Sequence, residues 1–138
     1  NISMGLSFNR FHQKIDVENS FSISTDSQIT IEHNFGFGSY DMILTVLESS
    51  PPKKIIFQEK SKKSRDQLFD HKTTFIINKK KDSICELLDI VEGRCRNKFG
   101  ELSVKSILKG VRLDELIKMR LTIESSSIDS NQGEYNPI

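Results

Sequence analysis

Tryptophan is absent from this 138-residue chain, cysteine occurs twice, and histidine and proline three times each. Cys85 and Cys95 lie ten residues apart, and no Cys or His spacing matches a metal site. A reduced, intracellular setting accounts for them. Cys85 falls beside Leu88 on a helical pattern and reads as a packed core thiol. No apolar run approaches the ~18 residues needed to span a bilayer. No basic start leads into an apolar stretch with a small-residue cleavage site, and Asn1 stands where an initiator Met would, so the chain reads as a piece of a longer protein. There are no internal repeats. A Walker loop, HExxH, a nucleophile elbow and paired CxxC motifs are all missing, so the expectation is a non-catalytic domain without a cofactor. Phe35 to Ser39 (FGFGS) superficially resembles a phosphate loop, but no lysine follows at the needed spacing, which leaves a hairpin-type connection.

What is present is an uneven charge distribution. The formal net charge is +1, yet residues 53 to 81 hold ten of the 20 Lys and Arg against three acids, a local +7. A focused basic stripe raises local anion concentration and points to a phosphate-bearing partner. The plain alternative is that Lys53, Lys54, Lys60, Lys62, Lys63 and Arg65 form the solvated face of a loop. Phenylalanine is clustered too: Phe8, Phe11, Phe21, Phe35 and Phe37 are five of the nine. Some must be core, but rings beside a basic stripe can stack a base whose phosphates the lysines hold, each stack being worth ~1–3 kcal/mol.

Mean hydropathy of −0.41 with 28% charged residues fits a globular domain, and the length fits one core. Ile2, Met4, Leu6 and Phe8 alternate with polar residues, as do Phe21 and Ile23, predicting paired strands. Ile29 with Ile31, the run Met42 to Leu47, Ile55 to Phe57 and Thr73 to Ile77 predict further strands; Met42 to Leu47, apolar on both faces, is the candidate central strand, and Pro51 and Pro52 end it. Ile84, Leu87, Leu88 and Val91 fall at helical spacing behind a Ser83/Glu86 capping box, predicting a helix. Val104, Ile107, Leu108 and Val111 predict a second, short helix; Ile117, Met119, Leu121 and Ile123 alternate as a last strand. The expected architecture is α+β: a mixed, mostly antiparallel sheet over residues 1–124 packed against one long and one short helix, then a flexible tail over 125–138. Backbone donors at the predicted helix start, with Lys79, Lys80 and Lys81, offer an anion site near Asp82. Capping is the ordinary role for Asp82; a carboxylate there also matches the N–H donors of a guanine edge.

The opening ISMGLSFNRFHQKI (Ile2 to Ile15) and TTFIINKKKDSICELLDIV (Thr73 to Val91) resemble the cap-binding domain of influenza-type polymerases; MGLS at Met4 to Ser7, followed by FSIS, ITIE and ILTV, is similar to the tick-borne orthomyxovirus region. The compact length is closer to the cap-binding domains in the large polymerase protein of bunyaviruses. The resemblance implies a domain of a viral RNA-directed RNA polymerase that grips the 7-methylguanosine cap of host messenger RNA during cap snatching, in the host cytoplasm, or the nucleus for an orthomyxovirus. It implies a ring sandwich from Phe8 or Phe11 with Phe21, His12 on the base edge, Asp82 on the guanine, and Lys79 or Lys80 on the phosphates. The methylated base is cationic, so a ring sandwich gains ~0.5–2 kcal/mol of cation–π attraction. Leu6 occupies the position of the influenza first-strand aromatic. Two other readings are a domain of this fold acting only as a scaffold in the polymerase, and a pleckstrin-like module for phosphoinositides or an acidic peptide, against which the predicted terminal strand counts.

Overall fold

The computed structural model describes residues 6–17, 23–34, 38–63, 69–81, 84–95 and 98–132. Six strands form one sheet: β1 (His12–Val17), β2 (Gln28–Asn34), β3 (Ser39–Ser50), β4 (Lys54–Ser61), β5 (Asp70–Lys81) and β6 (Ile84–Arg94). Their spatial order is their chain order, and every neighbouring pair is antiparallel. Helix α1 (Lys98–Gln132) follows. The fold is α+β. No helix among the described residues is long and apolar enough to cross a membrane.

Alternation decides which face is covered. Ile29 and Ile31 of β2 stand opposite Leu44 and Met42 of β3, and Val46 stands opposite Phe57 of β4, all buried on one face. Full burial of each such side chain contributes ~1.5–3 kcal/mol. Leu6 joins this core from a short helical turn ahead of β1. Helix α1 crosses the same face: Val111 is 1% exposed, and Arg112 and Glu115 one turn on point inward with it.

Three expectations are corrected. Residues 84–94 form β6, not a helix: eleven β5 residues pair with it, from Asp70 opposite Arg94 to Lys81 opposite Ile84. Ile84, Leu87, Leu88 and Val91 do sit at helical spacing, but a strand with apolar residues on both faces produces the same spacing, and cross-strand pairing overrides local preference. Cys85 is therefore exposed on a strand, not a core thiol. Residues 104–111 and 117–123 belong to one helix, which continues through Ser125 to Gln132, where composition reads as a tail. Leu113, Ile117 and Leu121 lie on its outer, exposed side, and that outward apolar row mimics a strand's alternation. With a helix as the last element, the ground for setting aside a pleckstrin-like reading falls. At the N-terminus, Leu6 and Ser7 are helical and Phe8 to Phe11 form turns, so Phe8 and Phe11 precede the first strand instead of lying on it.

Candidate functional site

All three histidines of the chain, separated by 21 and 38 residues in sequence, meet over the covered face around one carboxylate. The β1–β2 register shifts between His12 and Lys14, so that His12 pairs with His33 while Lys14 pairs with Glu32. One extra residue reverses the inward–outward parity. Ile15 faces inward opposite Ile31, and without the irregularity His12 would face the other way. His33 continues the inward row of Ile29 and Ile31; Glu59 continues that of Phe57; His71 pairs directly with Glu59 across β4 and β5.

Each ring is held by its own main-chain acceptor. Nδ1–H donates to the Leu6 carbonyl from His12 (2.7 Å), to Ile31 from His33 (3.4 Å) and to Phe69 from His71 (3.0 Å). A carbonyl can only accept, so Nδ1 carries the proton in each and Nε2 is turned elsewhere. Nε2 of His33 lies 3.4 Å from Glu59 Oε2 and Nε2 of His71 lies 3.7 Å from Oε1. His12 packs edge-on to His33 with centroids 4.5 Å apart. Glu59 Oε2 is buried and has no well-formed hydrogen bond among the described residues.

Burial opposes the charge on Glu59, but the hydrogen-bonding His33 ring and the positive potential of His71 outweigh it and hold the carboxyl at about 2. Burial, then the neighbouring His33, lowers His12 to about 4. At neutral pH the cluster thus holds a buried carboxylate beside a neutral His12.

The cluster floors a cavity of about 260 Å³ between sheet and helix, with Phe11, Phe69 and Met42 on its walls and Val104, Leu108 and Val111 of α1 as its roof. A mostly apolar cavity with a few convergent polar groups is the usual form of a small-ligand site. Phe69 stacks on His71 with centroids 4.8 Å apart and planes 13° from parallel. Gly93 makes room for it, because a Cβ there would meet the Phe69 ring at 2.6 Å. The exposed Arg10 guanidinium lies 5.4 Å from the centre of the Phe11 ring.

A second buried cluster pins the helix to the sheet. Arg112 donates to both oxygens of Asp89 on β6 (2.8 and 2.6 Å) and to Glu115 (2.9 Å), and its guanidinium lies over Phe75 at 5.2 Å. Burial raises Glu115 to about 7 against the pull of Arg112.

Of the residues expected from sequence, the structure brings Phe11 and His12 together at the cavity; Phe8 is half-buried in the preceding turn. Phe21 and Asp82 lie outside the described residues. The anion site built on a helix start near Asp82 is withdrawn, because β6 follows there. Lys79 and Lys80 stand at the far end of β5, eight and nine residues beyond His71, which at strand rise is ~26–30 Å away. They are not neighbours of the cavity. Three residues of the basic stripe are also paired with acids: Lys54, Lys72 and Lys80 lie 2.9, 2.7 and 2.9 Å from Glu48, Glu92 and Glu86.

Sequence reasoning missed His33, Glu59, His71 and Phe69. A signal for two of them exists: in Ile29-Thr-Ile31-Glu-His33 and Phe57-Gln-Glu59, a polar residue takes an inward slot of an alternating strand. A buried ionisable group on an apolar face is the informative exception. No protein family, curated protein or solved structure matches this chain.

Proposed function

We propose that this chain is a non-catalytic binding domain whose cavity receives a flat, positively charged ring, the N7-methylguanine of a messenger RNA cap being the ligand that the sequence resemblance implies. The observation carrying this reading is the ionised, under-bonded Glu59 at the floor of an apolar cavity walled by Phe11 and Phe69. Methylated guanine presents a delocalised positive charge to ring faces and adjacent N–H donors to a carboxylate. In this arrangement Glu59 takes the role that the sequence suggests for Asp82. Arg10, over Phe11, takes the phosphate-holding role that it suggests for Lys79 and Lys80.

Titration with methylated and unmethylated guanosine triphosphate tests the reading. The methylated form is expected to bind more tightly, Glu59→Gln to remove the preference, and Phe11→Ala to weaken binding ~10–100-fold, the value of one ring stack. Equal affinity for the two nucleotides, or none for either, overturns it; the latter result leaves a scaffold domain.

A further inference from the structure

We propose that His12, His33 and Glu59 bind one divalent transition-metal ion of the zinc class, with His71 supporting the carboxylate from its other oxygen. This inference goes beyond the nucleotide reading and does not rest on it.

One ligand atom from each of His12, His33 and Glu59 lies within 4.8 Å of the others. Tetrahedral coordination at 2.0–2.2 Å places ligand atoms ~3.3 Å apart, and the His33 Nε2 to Glu59 Oε2 separation is 3.4 Å. Metal binding would have to draw the most widely spaced ligand atoms in from at most 4.8 Å. The second observation is the orientation of the rings. In metal sites a ligating histidine donates its other N–H to a carbonyl or carboxylate, which fixes tautomer and direction; here all three rings donate Nδ1–H to a main-chain carbonyl. With Nδ1 so held, Nε2 is the ring atom left to meet a ligand, and for His33 and His71 it lies 3.4 and 3.7 Å from Glu59. The third is Glu59 Oε2, buried and short of a hydrogen bond among the described residues, which a metal bond would satisfy. Imidazole and carboxylate donors suit zinc and its borderline neighbours more than calcium or magnesium, which prefer all-oxygen shells. Three protein ligands leave the fourth position open toward the cavity.

The test is titration of the reduced chain with zinc by calorimetry and with cobalt by visible absorption, with no nucleotide present. The expected result is one ion per chain, a tetrahedral-type cobalt spectrum and affinity that falls on acidification, because protons compete with the ion for the ligand atoms. Glu59→Gln and His12→Ala should each weaken binding at least ~100-fold, and His71→Ala ~10–100-fold as an outer-shell change. Far-UV circular dichroism checks that the variants fold. The wild type supplies a readout without substitution: with three histidines in the chain, zinc should shift the ring-nitrogen resonances of His12 and His33. Absence of stoichiometric binding overturns the proposal. So does binding that leaves those resonances unmoved or survives the Glu59→Gln/His12→Ala double substitution, which would place the ion elsewhere, the free Cys85 and Cys95 included. Because methylguanine and the metal would both neutralise Glu59, a bound ion should also compete with the nucleotide. Failure of the nucleotide titration alone leaves the metal result standing.

Discussion

Two ionic clusters lie buried under the same helix, and they are built in opposite ways. Around Arg112, one cation is shared by two acids, Asp89 and Glu115, with three hydrogen bonds of 2.6 to 2.9 Å. Around Glu59, one acid is faced by three rings, its contacts with His33 and His71 are 3.4 and 3.7 Å, and one carboxylate oxygen lacks a hydrogen bond among the described residues. The first cluster is satisfied internally and joins α1 to β6. The second is more loosely bonded, and it opens on a cavity. Burial of charge is costly in both; the rings facing Glu59 outweigh that cost for its carboxylate, whereas at Glu115 burial prevails over the pull of Arg112. This difference fits a structural role for the first and the binding role proposed above for the second.

Removing Arg112 tests the contrast most severely. Arg112→Ala leaves Asp89 and Glu115 buried without a partner and should cost ~3–5 kcal/mol in urea unfolding; a loss under ~1 kcal/mol would mean that the cluster does not anchor the helix.

Glu115→Gln should act in the opposite direction and only at higher pH. A carboxyl raised from 4.5 to about 7 holds its proton more tightly in the folded state. Its contribution is present below the unfolded value and is lost as pH rises through about 7. That loss amounts to ~3 kcal/mol. The variant should therefore be more stable than wild type by up to that amount near pH 8 and little changed near pH 5; unfolding at the two pH values decides, and a pH-independent difference refutes the assignment.

Glu59→Gln follows, with an expected cost of ~1–3 kcal/mol near neutral pH from the weakened His33 and His71 contacts. The sign of its pH dependence is reversed. A carboxyl lowered from 4.5 to about 2 stabilises above the unfolded value and loses that effect as pH falls. His12, lowered from 6.5 to about 4, likewise loses stability as pH falls through that interval. The variant should have a flatter acid limb below about pH 4.5 in thermal melts, and an unchanged limb would remove Glu59 from the account.

Lys80→Ala is the smallest change. Its pair with Glu86 is solvent-exposed, so stability should move by less than ~0.5 kcal/mol, and methylated-nucleotide affinity should be unaltered. A clear loss of affinity would return the phosphate site to the lysine turn at the end of β5.

Strands β2 to β5 were legible as short apolar stretches bounded by polar or proline breaks, alternating in β2 and denser in β3, β4 and β5. Residues 84–94 and 117–123 were not legible, since both carry apolar residues on two sides. Leu88 and Ile90 face away from the helix on β6, and Leu113, Ile117 and Leu121 face away from the sheet on α1. Periodicity cannot report an element's type when its outer face is apolar too. Of the site, Phe11 and His12 were visible as a ring and a titratable group adjoining a basic residue. Glu59 and the other two rings were not, because nothing local marks them as partners.

The amino-acid order alone determined that this chain would form an antiparallel sheet with helix packed on it, since alternation and turn residues act over a few positions. The meeting of His12, His33, His71 and Glu59 was decided only by tertiary structure. It required a one-residue irregularity in β1 to turn His12 inward, the register of four strand pairings to align the rows, and α1 to close the space above them. Pairing register and parity are properties of strands laid side by side, and neither can be read from one strand by itself.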